Sequence, residues 1–445
     1  MPPCRGLGSD KPPAVHAGRS GSSAPTGSAG KLKVPIIRDQ NHEKTMKNQT
    51  GRMAHGHCTV HILIAGLCAA ALGHPAEAAD RPGRVAVIAT PDGGIQPQAI
   101  ADDAGVVHLI YFKGEPAGGD LFYVRSKPGT TEFSKPIRVN SRPGSAVATG
   151  TIRGGQLALG RDGRVHVAWN GSQKAAPPNP IKGSPMLYAR LDKDRIAFEP
   201  QRNLMHRTYH LDGGGSIGAD REGHVYVAWH AKSADAPEGE AGRRLWVARS
   251  QDDGTTFSDE GPAIETETGA CGCCGTKALV DRRGTLYVLY RAARRNVERD
   301  MMLVISRDNG AHFQAASLQP WPVSTCPMSS ESLVDTPSGV LAAWETKGQI
   351  AYARVDPQSL VPSQPISPPG GGNRKHPALA ANSGGETIVV WAEDTGWQRG
   401  GSLVWRIFDQ SGRATREMGR VNDGVPVWSL PAVVALPDGS FVIIH

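Results

Sequence analysis

Gly223-His224-Val225-Tyr226-Val227-Ala228-Trp229 is a turn glycine, an alternating apolar strand and an aromatic at its far end, and the phrase recurs through the chain. Its other copies are Gly105–Tyr111, Gly163–Trp169, Gly284–Tyr290, Gly339–Trp344, Gly385–Trp391 and Gly439–His445. Successive glycines lie 58, 60, 61, 55, 46 and 54 residues apart. A spacing held in that range is the signature of a repeat architecture. Each copy shows period-two alternation and no helical period, so the repeating unit is a small antiparallel sheet. Radial repetition of such sheets makes a β-propeller, and the expected class is therefore all-β.

The third copy shows the unit most plainly. Ser216–Asp220 reads as an inner strand, Arg221–Gly223 as a tight turn and Val225–Trp229 as the second strand. A polar loop follows, then Leu245–Arg249 as a third strand and a short outer strand after Phe257. Third strands recur at Leu121–Arg125, Met186–Arg190, Met302–Ser306, Ile350–Arg354 and Val404–Phe408. The last inner pair, Pro431–Leu436 and Ser440–Ile444, has no third strand because the chain stops there. An unassigned strand at Arg84–Thr90 offers that pair a partner and closes the ring, which removes exposed sheet edges. Seven blades are expected, with six as the alternative if two partial units merge. A β-sandwich needs fewer strands and does not explain the period.

Between the third and fourth strands stand two related turns. Ser250-Gln251-Asp252-Asp253-Gly254-Thr255-Thr256-Phe257 is matched by Ser306-Arg307-Asp308-Asn309-Gly310-Ala311-His312-Phe313. Asp252 and Asp308 can accept turn N–H groups, Gly254 and Gly310 supply a positive φ, and Phe257 and Phe313 plug the layer between blades. This pattern resembles the Asp-box, or BNR repeat, of the sialidase superfamily. The resemblance implies a propeller and a structural role for these turns, on the face opposite a sialidase's active site. It also implies an arginine triad, a Tyr–Glu nucleophile pair and an Asp acid/base, announced by Arg-Ile-Pro near the first blade. That motif is missing from residues 80–445, so an active exo-α-sialidase type of glycoside hydrolase is the alternative reading, and catalytic residues stay unassigned.

The start of the chain has a different character. Residues 1–52 are rich in Gly, Ser, Pro, Lys and Arg without apolar period, which reads as a disordered leader or a misplaced start. Residues 53–79 read as a signal peptide: basic residues upstream, an apolar run from Val60 to Leu72, and Ala76-Glu77-Ala78 as the cleavage site. The run is short for a membrane span, so the expectation is an exported protein, periplasmic or secreted, with residues 80–445 as one propeller domain. Removing residues 1–79 takes nine of 49 Lys/Arg and four of 42 Asp/Glu, leaving 40 against 38. The overall charge of +7 thus comes mostly from the leader, and nucleic acid is not an expected partner.

Four cysteines remain, Cys271, Cys273 and Cys274 at the entry to blade 4 and Cys326 at the entry to blade 5. The repeat puts both segments on one face near the central channel. Disulfides are the first expectation in an oxidising compartment, one of them joining the two blades through Cys326. Adjacent Cys273 and Cys274 bond to each other only with strain, which favours more distant partners. The second expectation is a copper or zinc site from these thiolates with Met328 and His376, and the third a cycling dithiol. The Cys-x-Cys-Cys and Cys-Pro-Met segments are together similar to those of an exported bacterial subgroup of sialidase-like BNR-repeat proteins.

The same face carries candidate ligand contacts. Arg291, Arg299 and Arg374 are candidate anchors for an anionic ligand, and Trp397 and Trp428, which break the period, are candidate stacking platforms. Trp169, Trp229, Trp344 and Trp391 keep the period and read as packing between blades. The favoured reading is a ligand-binding propeller, its ligand a small molecule or glycan. A copper- or zinc-binding or thiol-redox propeller is the rival from another class.

Overall fold

The computed structural model describes residues 83–445, so the leader and signal-peptide readings over 1–52 and 53–79 lie outside the described residues. The chain forms a seven-bladed β-propeller. In chain order and from the channel outward, blade 1 is Ile95–Ala101, Val107–Lys113, Asp120–Arg125 and Ile137–Arg138. Blade 2 is Gln156–Leu159, Val165–Asn170, Met186–Arg190 and Arg202–Asn203. Blade 3 is Ser216–Ala219, Val225–Ser233, Arg244–Ser250 and Gly261–Pro262, with Thr208–Tyr209 paired to the far end of its second strand. Blade 4 is Thr276–Val280, Leu286–Arg291, Met301–Ser306 and Gln314–Gln319. Blade 5 has three strands, Glu331–Thr336, Gly339–Thr346 and Gln349–Val355. Blade 6 is Arg374–Ala381, Thr387–Glu393, Gly401–Phe408 and Ala414–Val425.

Blade 7 is Ala432–Ala435 and Phe441–Ile444, completed by the N-terminal strand Val85–Ile88. That strand runs parallel to Phe441–Ile444, with Val85 opposite Phe441 and Ile88 opposite Ile444. The innermost strands touch their neighbours in cyclic order, the seventh against the first. Six blades is therefore excluded.

All seven repeated glycines, including Gly223 at φ 92° and Gly339 at φ 112°, adopt positive φ. A side chain is strained there, and this is why glycine marks each turn between first and second strands. The core is divided into layers between blades. Trp229 packs with Met186, Tyr188 and Leu211 between blades 2 and 3, and Trp344 with Leu289 and Leu303 between blades 4 and 5. Trp169, Trp229, Trp344 and Trp391 are all buried, and truncating such a side chain typically costs about 3–5 kcal/mol.

The two repeated turns are built alike. Ser250 Oγ donates to Asp252 Oδ1 at 2.8 Å and accepts from Gly254 N at 2.9 Å; Ser306, Asp308 and Gly310 repeat both contacts at the same distances. Gly254 and Gly310 have φ 75° and 74°. Phe257 packs edge-on against Tyr188 of the preceding blade, and Phe313 packs into the layer between blades 3 and 4. Burial alone would raise Asp252, yet hydrogen bonds from Thr256 and Ser250 hold it down to about 2.

Candidate functional site

The face carrying the loops into each innermost strand collects most of the chemistry. Ala270–Gly275 forms a tight loop entering blade 4, with Cys274 N bonded to Cys271 O at 3.3 Å and Cys271 N to Arg291 O at 2.9 Å. Gly275 N donates to Ser329 O at 2.8 Å, pinning the loop to the entry of blade 5. Cys273 is disulfide-bonded to Cys326, with Cα atoms 6.6 Å apart. Cys271 and Cys274 are free thiols, both buried. The Cys271, Cys273 and Cys274 sulfurs lie within 4.8 Å of one another, and Cys326 and Met328 pack against them. Glycine is obligatory opposite this loop at Gly213, where a Cβ would fall 2.1 Å from Cys274 O.

His376 is not part of this sulfur group. Its ring is buried, its Nδ1 lies 3.0 Å from Ser330 Oγ, and burial holds it neutral by lowering its pKa well below the usual range. His230 instead approaches the loop, its Nε2 3.2 Å from Cys274 O. Burial, with Arg243 nearby, lowers His230 to about 4.

Arg291 and Arg299 lie beside the sulfurs, and none of the three candidate arginines opens toward solvent. Arg291 is 1 % exposed; its Nε donates to Ser329 Oγ at 2.8 Å, its Nη1 to Arg299 O at 2.6 Å and its Nη2 to Glu345 O. Arg299 is buried and pairs with Glu240 at 2.6 Å. Arg374 is buried under Trp391, bonded to the carbonyls of Pro368 and Pro369 and facing Glu393. The three guanidiniums that the sequence suggested as ligand anchors are thus directed into the protein. Their positive charge acts locally instead. Burial opposes ionisation of Cys274, but a hydrogen bond from Cys271 and the charge of Arg291 bring it down to about 6. Burial and the neighbouring Cys274 push Cys271 well up.

Trp397 and Trp428 meet at the mouth. Their ring centroids are 5.6 Å apart at 58°, and Trp397 is 52 % exposed. Trp397 overlies Gly150, beside Arg153, which is itself fixed to Asp212 at 2.5 Å. Gln96 ties this region together: its Nε2 lies 2.7, 2.7 and 2.8 Å from the carbonyl oxygens of Ala148, Gly150 and Trp428, which share its two hydrogens. Gln96 also lies on the rim of a central cavity of about 300 Å³.

That cavity holds groups the motif reading did not single out. Lys277, on the innermost strand of blade 4, reaches across to Gln98 of blade 1 and Gln156 of blade 2. Glu331 begins the innermost strand of blade 5, with Oε2 unpartnered. Glu345, behind it, is raised to about 7 by burial even though Lys375 lies 3.4 Å away. The signal for Lys277 and Glu331 in the sequence was a charged residue inside an innermost strand.

No family model matches the chain, and no curated protein does. Among solved structures it is similar to the Hadza microbial sialidase Hz136, at 13% identity and TM-score 0.47 over 72% of this chain and 69% of that one. It is similar to an α-L-arabinanase from Penicillium chrysogenum at 15% identity and TM-score 0.45, over 72% and 94%. A protein of unknown function from Dyadobacter fermentans is similar at 13% identity and TM-score 0.44, over 69% and 95%. No helix among the described residues is long and apolar enough to cross a membrane.

Proposed function

We propose that this chain is an exported ligand-binding propeller that takes a glycan on its cysteine-bearing face. The Trp397–Trp428 pair carries the reading. An indole half open to solvent, braced by a second indole and a rigid loop, offers an apolar plane to the C–H face of a sugar ring. Export is supported by the leader pattern and by the Cys273–Cys326 disulfide, a bond that persists in oxidising compartments. The inward direction of Arg291, Arg299 and Arg374 favours binding over sialoside cleavage. The test is tryptophan-fluorescence titration with a panel of neutral and acidic oligosaccharides, alongside a fluorogenic sialoside assay. Saturable quenching lost in Trp397→Ala, without sialoside release, supports the reading. Absence of quenching by every oligosaccharide refutes it, and release of the fluorophore favours the hydrolase.

The three clustered sulfurs favour a second reading, a soft-cation site for copper or zinc. Cys273 is available to a metal only after two-electron reduction of its bond to Cys326 by a thiol. Metal analysis of protein purified with and without reductant tests this. Metal retained only by the reduced protein supports it.

A further inference from the structure

The central cavity is walled by the innermost strands of all seven blades. Among its lining residues only Lys277 and Glu331 are ionisable, and they form no ion pair with each other. Lys277 Nζ donates to Gln98 Oε1 at 3.1 Å and to Gln156 Oε1 at 2.9 Å. Because an ammonium can only donate, both amides turn their oxygens to it and leave their NH₂ groups as donors. The third ammonium hydrogen is also uncommitted. Glu331 is 7 % exposed, and its Oε2 has no partner. Burial, reinforced by Cys274, raises Glu331 well above the usual carboxylate range, which favours its neutral form with an O–H to donate. Burial lowers Lys277 only to about 8, leaving it charged at neutral pH. One cation therefore lines a partly sheltered cavity, with amide donors from blades 1 and 2 and the Glu331 carboxyl of blade 5 on the same wall. The rest of the wall mixes backbone and small polar groups such as Ser330 and Ser332 with apolar side chains from Ile217, Leu279, Leu333 and Leu379.

We propose that this cavity is a binding site for a small organic carboxylate, its head on Lys277 and its aliphatic body against these apolar side chains. A carboxylate supplies the acceptor oxygens that these donors lack. The volume of about 300 Å³ lies at the low end for small-molecule sites. The side chains of Ile217, Leu279, Leu333 and Leu379 favour an organic acid over a fully hydrated inorganic anion. This site stands independently of glycan binding at the mouth.

The experiment is calorimetric titration of the mature chain with isobutyrate, isobutyramide and inorganic phosphate. Isobutyrate is expected to bind at least tenfold more tightly than its neutral amide, and more tightly than phosphate. Lys277→Met is expected to weaken isobutyrate at least tenfold. In the unaltered protein, affinity falls as pH rises through about 8, because Lys277 loses its proton. The amide comparison and the pH series need no variant, so they decide the matter even if Lys277→Met does not fold. Equal binding of amide and acid, preference for phosphate, or no binding of isobutyrate overturns the proposal. A chain that binds oligosaccharides but not isobutyrate loses this inference alone, and the reverse result removes only the glycan reading.

Discussion

Cys273 and Cys326 are joined across blades 4 and 5 although 53 residues separate them in sequence. The bond links two entry loops that neighbouring repeats bring side by side. Mature chain denatured without reductant is expected to show two reactive thiols, those of Cys271 and Cys274. Replacing Cys273 and Cys326 together by serine should cost about 2–4 kcal/mol in urea unfolding. Four thiols in the denatured, unreduced chain would show that no such bond forms.

Trp397 is half exposed and contributes little to the core, so Trp397→Ala should leave unfolding within about 0.5 kcal/mol of the parent. Its effect should fall on oligosaccharide quenching. A variant that unfolds easily would instead make Trp397 a packing residue.

Gly254 combines φ 75° with a Cβ position only 1.8 Å from Tyr188 Oη. Gly254→Ala should therefore cost about 3 kcal/mol, left-handed strain and overpacking together. Gly412, at φ 80° with open space around it, should lose only about 1–2 kcal/mol as alanine. Equal losses in chemical denaturation would mean that Tyr188 moves aside freely.

Glu345 carries a pH signature. Burial raises its folded pKa to about 7 from the ordinary 4.5, so the folded state holds the proton more tightly than the unfolded chain. The resulting stabilisation is complete below about pH 4.5 and is lost as pH rises through 7. Glu345→Gln should be more stable than the parent by about 2–3 kcal/mol at pH 8, with the difference shrinking toward pH 4.5. A difference that does not change with pH would place the ordinary carboxylate pKa in the folded protein.

The N-terminal strand covers the edge of Phe441–Ile444. Phe441 N donates to Arg84 O at 2.8 Å, and Arg84 pairs with Glu386 at 2.6 Å and Glu417 at 2.5 Å in blade 6. A chain beginning at Pro91 should expose that edge and self-associate in size-exclusion chromatography. A stable monomer would show that blade 7 holds on two strands.

Much of the ring was legible because its signals are local. The third strand of blade 2 falls at Met186–Arg190, the residues its alternation marked, and that of blade 4 at Met301–Ser306 begins one residue earlier than expected. That a strand within Arg84–Thr90 completes the last blade followed from counting strands, but its parallel pairing with Phe441–Ile444 did not, because no local pattern encodes strand orientation. The absence of a fourth strand in blade 5 and the extra Thr208–Tyr209 in blade 3 were hidden in turn-rich sequence.

The candidate site divides along the same line. Residue type showed that thiols, arginines and indoles gather on one face. It did not show that Arg291, Arg299 and Arg374 turn inward, nor that Trp397 alone among the loop aromatics stays open. Lys277 and Glu331 were passed over because each sits alone within a strand, without a motif.

The sequence by itself determined the repeat and the turn chemistry, since period-two alternation and positive-φ glycines are enforced within a few residues, while the choice of seven blades over six fell to the closing strand pairing. Only the tertiary structure decided which sulfur pairs with Cys326, which way each guanidinium points, and that Lys277 meets Gln98 and Gln156 across the channel. Those outcomes depend on loops and strands from different blades competing for the same small volume, and no local stretch of chain contains that competition.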